Sequence, residues 1–159
     1  MSDEVLYDAQ HIGFLEEIWG DGFLSPGGAE EIARVLTGVD LSGAHVMDIG
    51  SGSGACSILL ARSQGVRSVV GIDVEEPVCL AARTRIAREG LSDKIEILQV
   101  KPGRFPFDAG TFDVVFSKDS IIHIPDKVAM AKEAFRVLKP VLSEQISLRR
   151  AGRFRSLTG

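Results

Sequence analysis

The sequence has few cysteines, few large aromatic side chains and no surplus of positive charge. Its 159 residues include two cysteines, one tryptophan and one tyrosine, and the formal net charge is −4. Cys56 and Cys79 lie in apolar helical surroundings without the spacing of metal ligands, so we expect both to act as small hydrophobic side chains, with no bound metal. An acidic chain lacks the basic face that displaces counterions from a phosphate backbone, which argues against a nucleic-acid partner.

Long hydrophobic runs are also missing. No apolar stretch approaches the roughly 18–20 residues that cross a bilayer, and the start MSDEVLYDAQ lacks the pattern of a signal peptide. We therefore expect a cytoplasmic protein with no membrane partner. The one basic cluster lies near the end of the sequence, where a solvated terminus is favoured over a nucleic-acid patch. Its members are Arg149, Arg150, Arg153 and Arg155.

Strand-like and helix-like patterns alternate along the chain. Strands separated by helical segments form parallel βαβ units, so the predicted fold class is α/β, a doubly wound (Rossmann-like) parallel sheet with helices on both faces. Ligands of such sheets bind beyond the carboxyl ends of the strands. We predict strands at 45–49, 68–73, 94–100 and 112–117, and helices at about 54–63, 76–89 and 126–138.

An additional helix is predicted before the first strand. Ser25 and Pro26 are residue types typical of an N-cap and a first helical position. The spacing of Ile32, Val35 and Leu36 predicts that these three side chains share the buried face of that helix.

The stretch VMDIGSGSGACSILLA places Asp48 two positions before a glycine loop. Gly50, Gly52 and Ala55 satisfy the dinucleotide pattern G-x-G-x-x-G/A, and Asp73 follows where a ribose-binding acid is expected. A nicotinamide-dependent dehydrogenase is therefore one interpretation. Asp48 argues against it, because a carboxylate beside the loop repels a pyrophosphate. The same carboxylate suits a nucleoside with ammonium and sulfonium charges and no phosphate, namely S-adenosylmethionine.

Chained motifs over residues 44–140 strengthen this interpretation. HVMDIGSGSGACSILLA, VVGIDVEE, FPFDAGTFDVVFSKDSIIHIPDK and AFRVLKP resemble, in order and spacing, the class I S-adenosylmethionine-dependent methyltransferases. WGDGFLSPGG together with FSKDSIIHI resembles the phosphoethanolamine N-methyltransferase branch and its bacterial relatives. The resemblance implies the strand order 3-2-1-4 and transfer of a methyl group to a small-molecule acceptor, with an amine as one acceptor class.

The resemblance also implies a cofactor site. Asp48 would orient the loop and help to hold the methionine ammonium group, Asp73 would accept both ribose hydroxyl groups, and Val74 would line the adenine. The alternatives are a plain helix-initiating turn for the glycines and an N-cap for Asp73. The expected cofactor residues are Asp48, Gly50, Ser51, Gly52, Gly54, Asp73, Val74, Lys101, Pro102, Gly103 and Ser117.

One position departs from the family pattern. Lys101 stands where many relatives have an aspartate that binds the adenine amino group, and Pro102 follows it. Lysine has no acceptor for an amino group and proline has no backbone donor for adenine. We expect a hydrophobic slot with a displaced backbone contact from Gly103.

The resemblance further implies three catalytic residues. His123 is the expected base that deprotonates an amine, Tyr7 is expected to pair with it as a latch, and Asp119 is expected to attract a cationic amine. The alternatives are that His123 caps the following helix or binds backbone, that Tyr7 packs on Ile12 or Phe14, and that Asp119 is a solvated loop acid.

The sequence after Pro140 departs from relatives, which continue with a glycine pair and further strands. We expect an N-terminal cap over 1–40, a cofactor-binding core over 44–140 and an atypical tail over 141–159. An unpaired fourth strand is an association hazard. The tail VLSEQISL as a substitute strand, a homodimer through the sheet edge, and a truncated chain are the alternatives, and we favour truncation. The second functional hypothesis is an inactive module that binds the cofactor without turnover.

Overall fold

The computed structural model describes residues 7–63 and 65–140. Strands and helices alternate from the first strand to the third, as the sequence pattern predicts, and the fourth strand follows the third without a helix between them. A short 3₁₀ helix, Ile121–His123, follows the fourth strand. The elements are α1 Ala9–Trp19, α2 Gly28–Val35, β1 His45–Ile49, α3 Ala55–Arg62, β2 Ser68–Asp73, α4 Glu76–Arg88, β3 Ile95–Gln99, β4 Val114–Ser117 and α5 Lys127–Val137.

The four strands form one parallel sheet in the order β3-β2-β1-β4. This confirms both the predicted fold class and the strand order. Asp48 of β1 pairs in register with Gly71 of β2 and Phe116 of β4, so Asp48 lies in the centre of the sheet. The carboxyl ends of all four strands therefore meet at one edge, where the glycine loop begins.

The core consists of two apolar clusters, one on each face of the sheet. Successive side chains of a strand point to opposite faces, and Val46 joins one cluster while Met47 joins the other. Ile58 of α3 and Ile86 of α4 pack in the first cluster, and Val137 of α5 packs in the second. Because both faces are covered, β2 reads as a continuous apolar run from Val69 to Ile72.

Two expectations for α2 are wrong. The N-cap is Gly27 and the helix begins at Gly28, because the Ser25 hydroxyl accepts a hydrogen bond from Lys118 instead of capping the helix. Val35 is 57% exposed, whereas Ile32 is buried as predicted. The apolar stripe of this short helix is therefore narrower than the sequence spacing suggests.

The outer edge of β4 is partly paired within the described part of the chain. Phe112, just before β4, forms a parallel bridge with Leu138, and Lys139 donates its backbone N–H to the Phe112 carbonyl oxygen at 2.9 Å. No strand among residues 7–63 and 65–140 pairs with the outer side of Val114–Ser117. The expected substitute strand VLSEQISL, the tail 141–159 and its arginine cluster lie outside the described residues.

Both cysteines have the hydrophobic role that their surroundings predict. Cys79 is fully buried and Cys56 is partly buried against the first cluster, and both are free thiols. Burial raises the pKa of Cys56 to about 12 and that of Cys79 to about 11, so neither is a reactive thiolate. Among the described residues, no helix has the length and apolar character needed to cross a bilayer.

Candidate functional site

The glycine loop, residues 50–54, leaves β1 at the carboxyl edge of the sheet. The backbone N–H groups of Gly50 and Ser51 both donate to the Ile72 carbonyl oxygen of β2, at 2.8 and 3.0 Å. Gly50 has φ +70°, and a Cβ atom there would come within 2.1 Å of the Ser120 Cβ. Only glycine fits this position, because the conformation is left-handed and the neighbouring loop is in contact.

The loop after β4 joins the same site. The hydroxyl groups of Ser117 and Ser120 each donate to the Ile49 carbonyl oxygen, at 3.0 and 2.7 Å, and lie 2.7 Å from each other. Through Ser117 and Ser120, these hydrogen bonds connect the end of β1 to the segment that carries the predicted catalytic residues Asp119 and His123.

Asp73, the last residue of β2, is held against the loop. Its Oδ2 accepts a hydrogen bond from the backbone N–H of Gly52 at 3.0 Å, and its Oδ1 accepts from the N–H groups of Val74 and Glu75 at 2.7 and 3.1 Å. Glu75, rather than Asp73, is the N-cap of α4. The structure thus brings the predicted ribose acid and the glycine loop into direct contact.

Asp48 is buried in β1, two positions before the loop. It is 1% exposed; its Oδ2 accepts a hydrogen bond from the Ser57 hydroxyl at 2.7 Å, and its Oδ1 has no partner among the described residues. Burial raises the pKa of Asp48 to about 7; the Ser57 hydrogen bond opposes this rise and the charge of Asp73 adds to it. A positive charge close to the loop would stabilise the ionised form of Asp48.

Two loop residues have structural contacts that the sequence did not indicate. A Cβ atom on Gly71 of β2 would come within 2.9 Å of the Ser51 hydroxyl, so Ser51 packs into the sheet, where its buried hydroxyl has no hydrogen-bond partner among the described residues. Gly54, with φ +98°, lets α3 begin against Ala82 of α4, whose Cβ would lie 3.1 Å from an added Cβ. The side chain of Ser51 therefore serves the loop's packing.

The residues predicted to meet adenine lie beyond β2 and β3. Val74 is 48% exposed, and its carbonyl oxygen accepts a hydrogen bond from the Gln99 side chain at 3.1 Å. Lys101, Pro102 and Gly103 are all exposed. The backbone N–H of Gly103 makes no hydrogen bond to the described residues, and nothing lies within 4 Å of where its Cβ would be. The backbone N–H of Gly103 thus has no acceptor among the described residues, at the position where the sequence predicts a donor.

His123 ends the 3₁₀ helix after β4 and is exposed. Its side chain makes no hydrogen bond to the described residues, while its backbone N–H donates to the Ser120 carbonyl oxygen at 3.1 Å. The alternative that His123 caps α5 is wrong, because Asp126 is the N-cap and accepts from the Ala129 N–H at 2.8 Å. The imidazole of His123 is therefore accessible to a substrate.

Tyr7 lies just before α1. Its ring stacks on that of His11 with the ring centroids 5.3 Å apart, a partner that the sequence did not suggest. Burial raises the pKa of the Tyr7 hydroxyl, and the negative charges of Asp73 and Glu75 raise it further. No hydrogen bond joins the side chains of Tyr7 and His123 in the described structure. The predicted latch between them stays a prediction.

Asp119 lies in the left-handed region, with φ +60°, in the loop after β4. The hydrogen bond from the Lys118 ammonium group to its Oδ2, at 2.5 Å, holds the pKa of Asp119 below its usual range. Lys118 also donates to the Ser25 hydroxyl at 3.0 Å and to the Pro26 carbonyl oxygen at 2.7 Å. Asp119 is thus ionised and attached through Lys118 to the segment before α2.

The sequence did not indicate the roles of two cationic side chains at the site, Lys118 and Arg85. Lys118 stands inside the quoted motif FSKDSIIHI, but no partner for it is visible in the sequence. Arg85 shares the buried stripe of α4 with Val78, Ala82 and Ile86. A charged residue at an apolar helical position is a signal that a buried anionic partner exists, although the sequence does not say which one.

Comparisons with known proteins agree with this geometry. Residues 46–141 match the family described as a methyltransferase domain. Phosphoethanolamine N-methyltransferase 1 of Zea mays is 34% identical over 139 residues, which are 87% of this chain and 27% of that protein. Phosphoethanolamine N-methyltransferase 3 of Arabidopsis thaliana is 33% identical over 139 residues, or 28% of its length. The chain spans about a quarter of the length of these curated relatives.

A solved structure shows the same architecture. Phosphoethanolamine N-methyltransferase 2 of Haemonchus contortus, in complex with phosphomonomethylethanolamine and S-adenosylhomocysteine, has a TM-score of 0.80 to this chain at 27% identity. The match covers 99% of this chain and 40% of the Haemonchus protein.

Proposed function

This chain belongs to the class I S-adenosylmethionine-dependent methyltransferases, and from this membership we propose that it binds S-adenosylmethionine at the β1–α3 loop and carries the transfer of its methyl group to a small-molecule acceptor, with an amine as the acceptor class. Because the chain belongs to this family, the glycine pattern is interpreted as part of an S-adenosylmethionine site and not as the dinucleotide site of a dehydrogenase. Phosphoethanolamine is the first acceptor to test, because it appears in the names of the Zea mays and Arabidopsis relatives.

The contact between Asp73 and Gly52 is the observation that carries the proposal. A carboxylate at the end of the second strand touches the loop after the first strand, 3.0 Å from its backbone N–H. The cofactor has a ribose diol and a charged methionine part, which need an acceptor and a narrow backbone turn side by side. Three of the approximately four acceptor positions of Asp73 bind backbone N–H groups, so the carboxylate is held in place before any ligand binds.

Asp48 supports a cationic ligand rather than a pyrophosphate. Its Oδ1, which has no partner among the described residues, is a buried acceptor beside the loop, and burial without a cationic partner among those residues raises its pKa to about 7. A cationic ligand would stabilise this carboxylate, whereas a pyrophosphate would add to the repulsion. We propose that Asp48 acts through the loop, because its side chain is buried.

Bound S-adenosylmethionine supplies a methyl group on a positively charged sulfur, which is open to in-line displacement by a nucleophile. The chain's own task is to position that nucleophile, remove its proton and exclude water. His123, whose imidazole is exposed and makes no hydrogen bond to the described residues, is the proposed base. Asp119 is ionised and is proposed to attract a cationic amine, and Tyr7 is proposed to cover the site from the N-terminal side.

Recognition of adenine is proposed to use the backbone of Gly103. The N–H of this residue has no partner among the described residues, whereas Pro102 has no N–H at all. Val74, half-exposed at the end of β2, would supply the apolar side of the slot. Lys101 offers no acceptor and is given no role in hydrogen bonding to the base.

The remaining parts of the proposal concern organisation. We propose that residues 1–40 form a cap, 44–140 the cofactor-binding core and 141–159 an atypical tail, in a cytoplasmic protein that does not bind nucleic acid. The family match over 46–141 supports the middle boundaries, and the net charge of −4 supports a small-molecule partner.

Calorimetric titration with S-adenosylhomocysteine tests the cofactor site. The unmodified chain should bind it and should not bind NAD. Asp73→Ala should weaken binding about 10- to 100-fold, because hydrogen bonds to a charged group contribute about 1.5–3 kcal/mol. Asp93→Ala is the matched control: this carboxylate is exposed before β3, at the opposite end of the strands, and its removal should leave the affinity unchanged.

The outcomes separate the hypotheses. A folded chain that does not bind S-adenosylhomocysteine would overturn the proposed function. Binding that is lost in Asp73→Ala, followed by methylation of phosphoethanolamine or a related amine, would support an enzyme. Binding without turnover of any amine acceptor would favour the alternative, a cofactor-binding module.

A further inference from the structure

Arg85 connects three separate parts of the chain. It is on α4 and is 8% exposed. Its Nη1 donates to the Ser53 carbonyl oxygen in the glycine loop, and its Nη2 donates to Glu16 Oε2 of α1 at 2.8 Å and to Asp21 Oδ1 at 2.7 Å. One guanidinium group therefore binds the loop, the N-terminal helix and the turn that follows this helix.

Ser53 is held on two sides by this network. Its carbonyl oxygen accepts from Arg85, and its hydroxyl donates to Glu16 Oε1 at 2.6 Å. Glu16 thus uses one oxygen for the loop and the other for Arg85. Ser53 is fully buried, so these bonds are shielded from water and are stronger than surface contacts.

Backbone contacts bring the same segments together. The Ala55 N–H, at the start of α3, donates to the Gly22 carbonyl oxygen at 3.3 Å. A Cβ atom on Gly22 would come within 2.8 Å of the Ala55 Cβ and 3.1 Å of the Arg85 side chain. The turn after α1 therefore packs directly on the loop and on Arg85, without space for a larger residue.

We infer that Arg85 is a positioning residue that couples docking of α1 to the shape of the glycine loop, so that cofactor binding and docking of the N-terminal segment stabilise each other. This inference rests on the proposed function, because it takes the loop to be the cofactor site. The coupling is reciprocal by thermodynamic necessity: a ligand that orders the loop also stabilises the docked helix. The coupling extends to Tyr7, which lies just before α1 and whose pKa is raised by burial and by the negative charge of Asp73.

Arg85→Lys is the first test. Lysine keeps the positive charge but replaces a planar fork by a single ammonium group, which does not hold the three oxygen acceptors in the same geometry. The measurements are the affinity for S-adenosylhomocysteine and hydrogen–deuterium exchange of the α1 amides with and without this ligand. In the unmodified chain the ligand should slow exchange in α1 as well as in the loop.

We expect Arg85→Lys to bind S-adenosylhomocysteine at least about fivefold more weakly, within the usual range of coupling between sites, and to lose the ligand-induced protection of α1. Arg88→Lys is the matched control. Arg88 is on the same helix and donates to Asp21 Oδ2 at 2.6 Å, but it is exposed and has no hydrogen bond to the loop. This control should keep both the affinity and the protection.

Glu16→Gln and Ser53→Ala decide the matter if Arg85→Lys does not fold. Each removes part of the network with little change of volume, and their effects on affinity should be less than additive, because they share one hydrogen bond.

The inference alone is overturned if the unmodified chain binds the ligand and the Arg85, Glu16 and Ser53 variants keep full affinity and full protection of α1. If the unmodified chain does not bind S-adenosylhomocysteine at all, the proposed function fails and the inference fails with it.

Discussion

Asp48 is an acidic residue whose buried surroundings disfavour its ionised form. It is central in the sheet and pairs in register with Gly71 and Phe116, and only one of its two oxygens has a hydrogen-bond donor among the described residues. Burial raises its pKa from the usual 3.8 to about 7. Ionised Asp48 therefore destabilises the fold of the chain alone, and a cationic ligand would relieve this cost. Such a conflict between charge and burial is typical of functional sites.

The pH dependence of stability tests this conflict. A folded-state pKa above the unfolded one means that stability is greatest below about pH 4 for this group and decreases as pH rises through about pH 7. The difference between the two pKa values corresponds to about 4 kcal/mol. Asp48→Asn, which does not ionise, should gain stability over the unmodified chain by up to this amount between pH 4.5 and pH 8.

Urea denaturation at several pH values measures the difference, and comparison of the two chains cancels the other titrating groups. Asp93→Asn, which replaces an exposed acid, is the matched control. Parallel curves for Asp48→Asn and the unmodified chain would contradict the prediction.

Among the helices, α5 is one whose stability depends on its N-cap residue, Asp126. Val137 is its only fully buried residue, and Met130 and Ala134 are partly buried against the second core cluster. The Asp126 side chain accepts a hydrogen bond from the Ala129 N–H at 2.8 Å, which satisfies one of the open donors of the first turn. The helix follows directly after the segment with Asp119 and His123, so its N-terminus helps to define the candidate acceptor side.

Removal of this cap should destabilise the protein moderately. Asp126→Ala should lower the free energy of unfolding by about 1 kcal/mol, the usual contribution of an N-cap, while Asp126→Ser should keep most of it. Chemical denaturation gives both values. Lys132→Ala, an exposed change on the same helix, should stay within about 0.5 kcal/mol of the unmodified chain. Equal effects of Asp126→Ala and Lys132→Ala would show that the cap contributes nothing.

Within the part of the molecule that the structure describes, the sheet ends at β4. The bridge between Phe112 and Leu138 covers the start of this edge, but within the described ranges no strand pairs with the outer side of Val114–Ser117. Phe135 of α5, three residues before Leu138, is 79% exposed. An unpaired strand edge and an exposed apolar side chain each favour association.

We therefore expect a homodimer through this edge, which is one of the alternatives that the sequence leaves open. Light scattering over a range of protein concentrations should give a mass that rises towards that of two chains. Phe135→Lys should shift the transition to higher concentration without a loss of folding, because this side chain is exposed. A mass of one chain at all concentrations would contradict the dimer.

Local sequence patterns are enough to predict the strands, most helix positions and the glycine loop. These features depend on local chemistry: β2 is an apolar run that ends at Asp73, and glycine at position 50 adopts a left-handed conformation, with φ +70°. The start of α2 was misjudged because Ser25, a good N-cap by type, binds Lys118, which lies 93 residues away in the sequence.

Which charged side chains form hydrogen bonds with each other depends on the tertiary packing. Arg85 and Glu16 are 69 residues apart, and no local pattern says that they share a hydrogen bond. The same holds for the Asp48 oxygen that has no partner among the described residues, since its surroundings depend on how separate elements pack. Hydrophobic periodicity acts over a few residues, whereas a buried hydrogen bond between distant segments exists only after the sheet and helices have assembled.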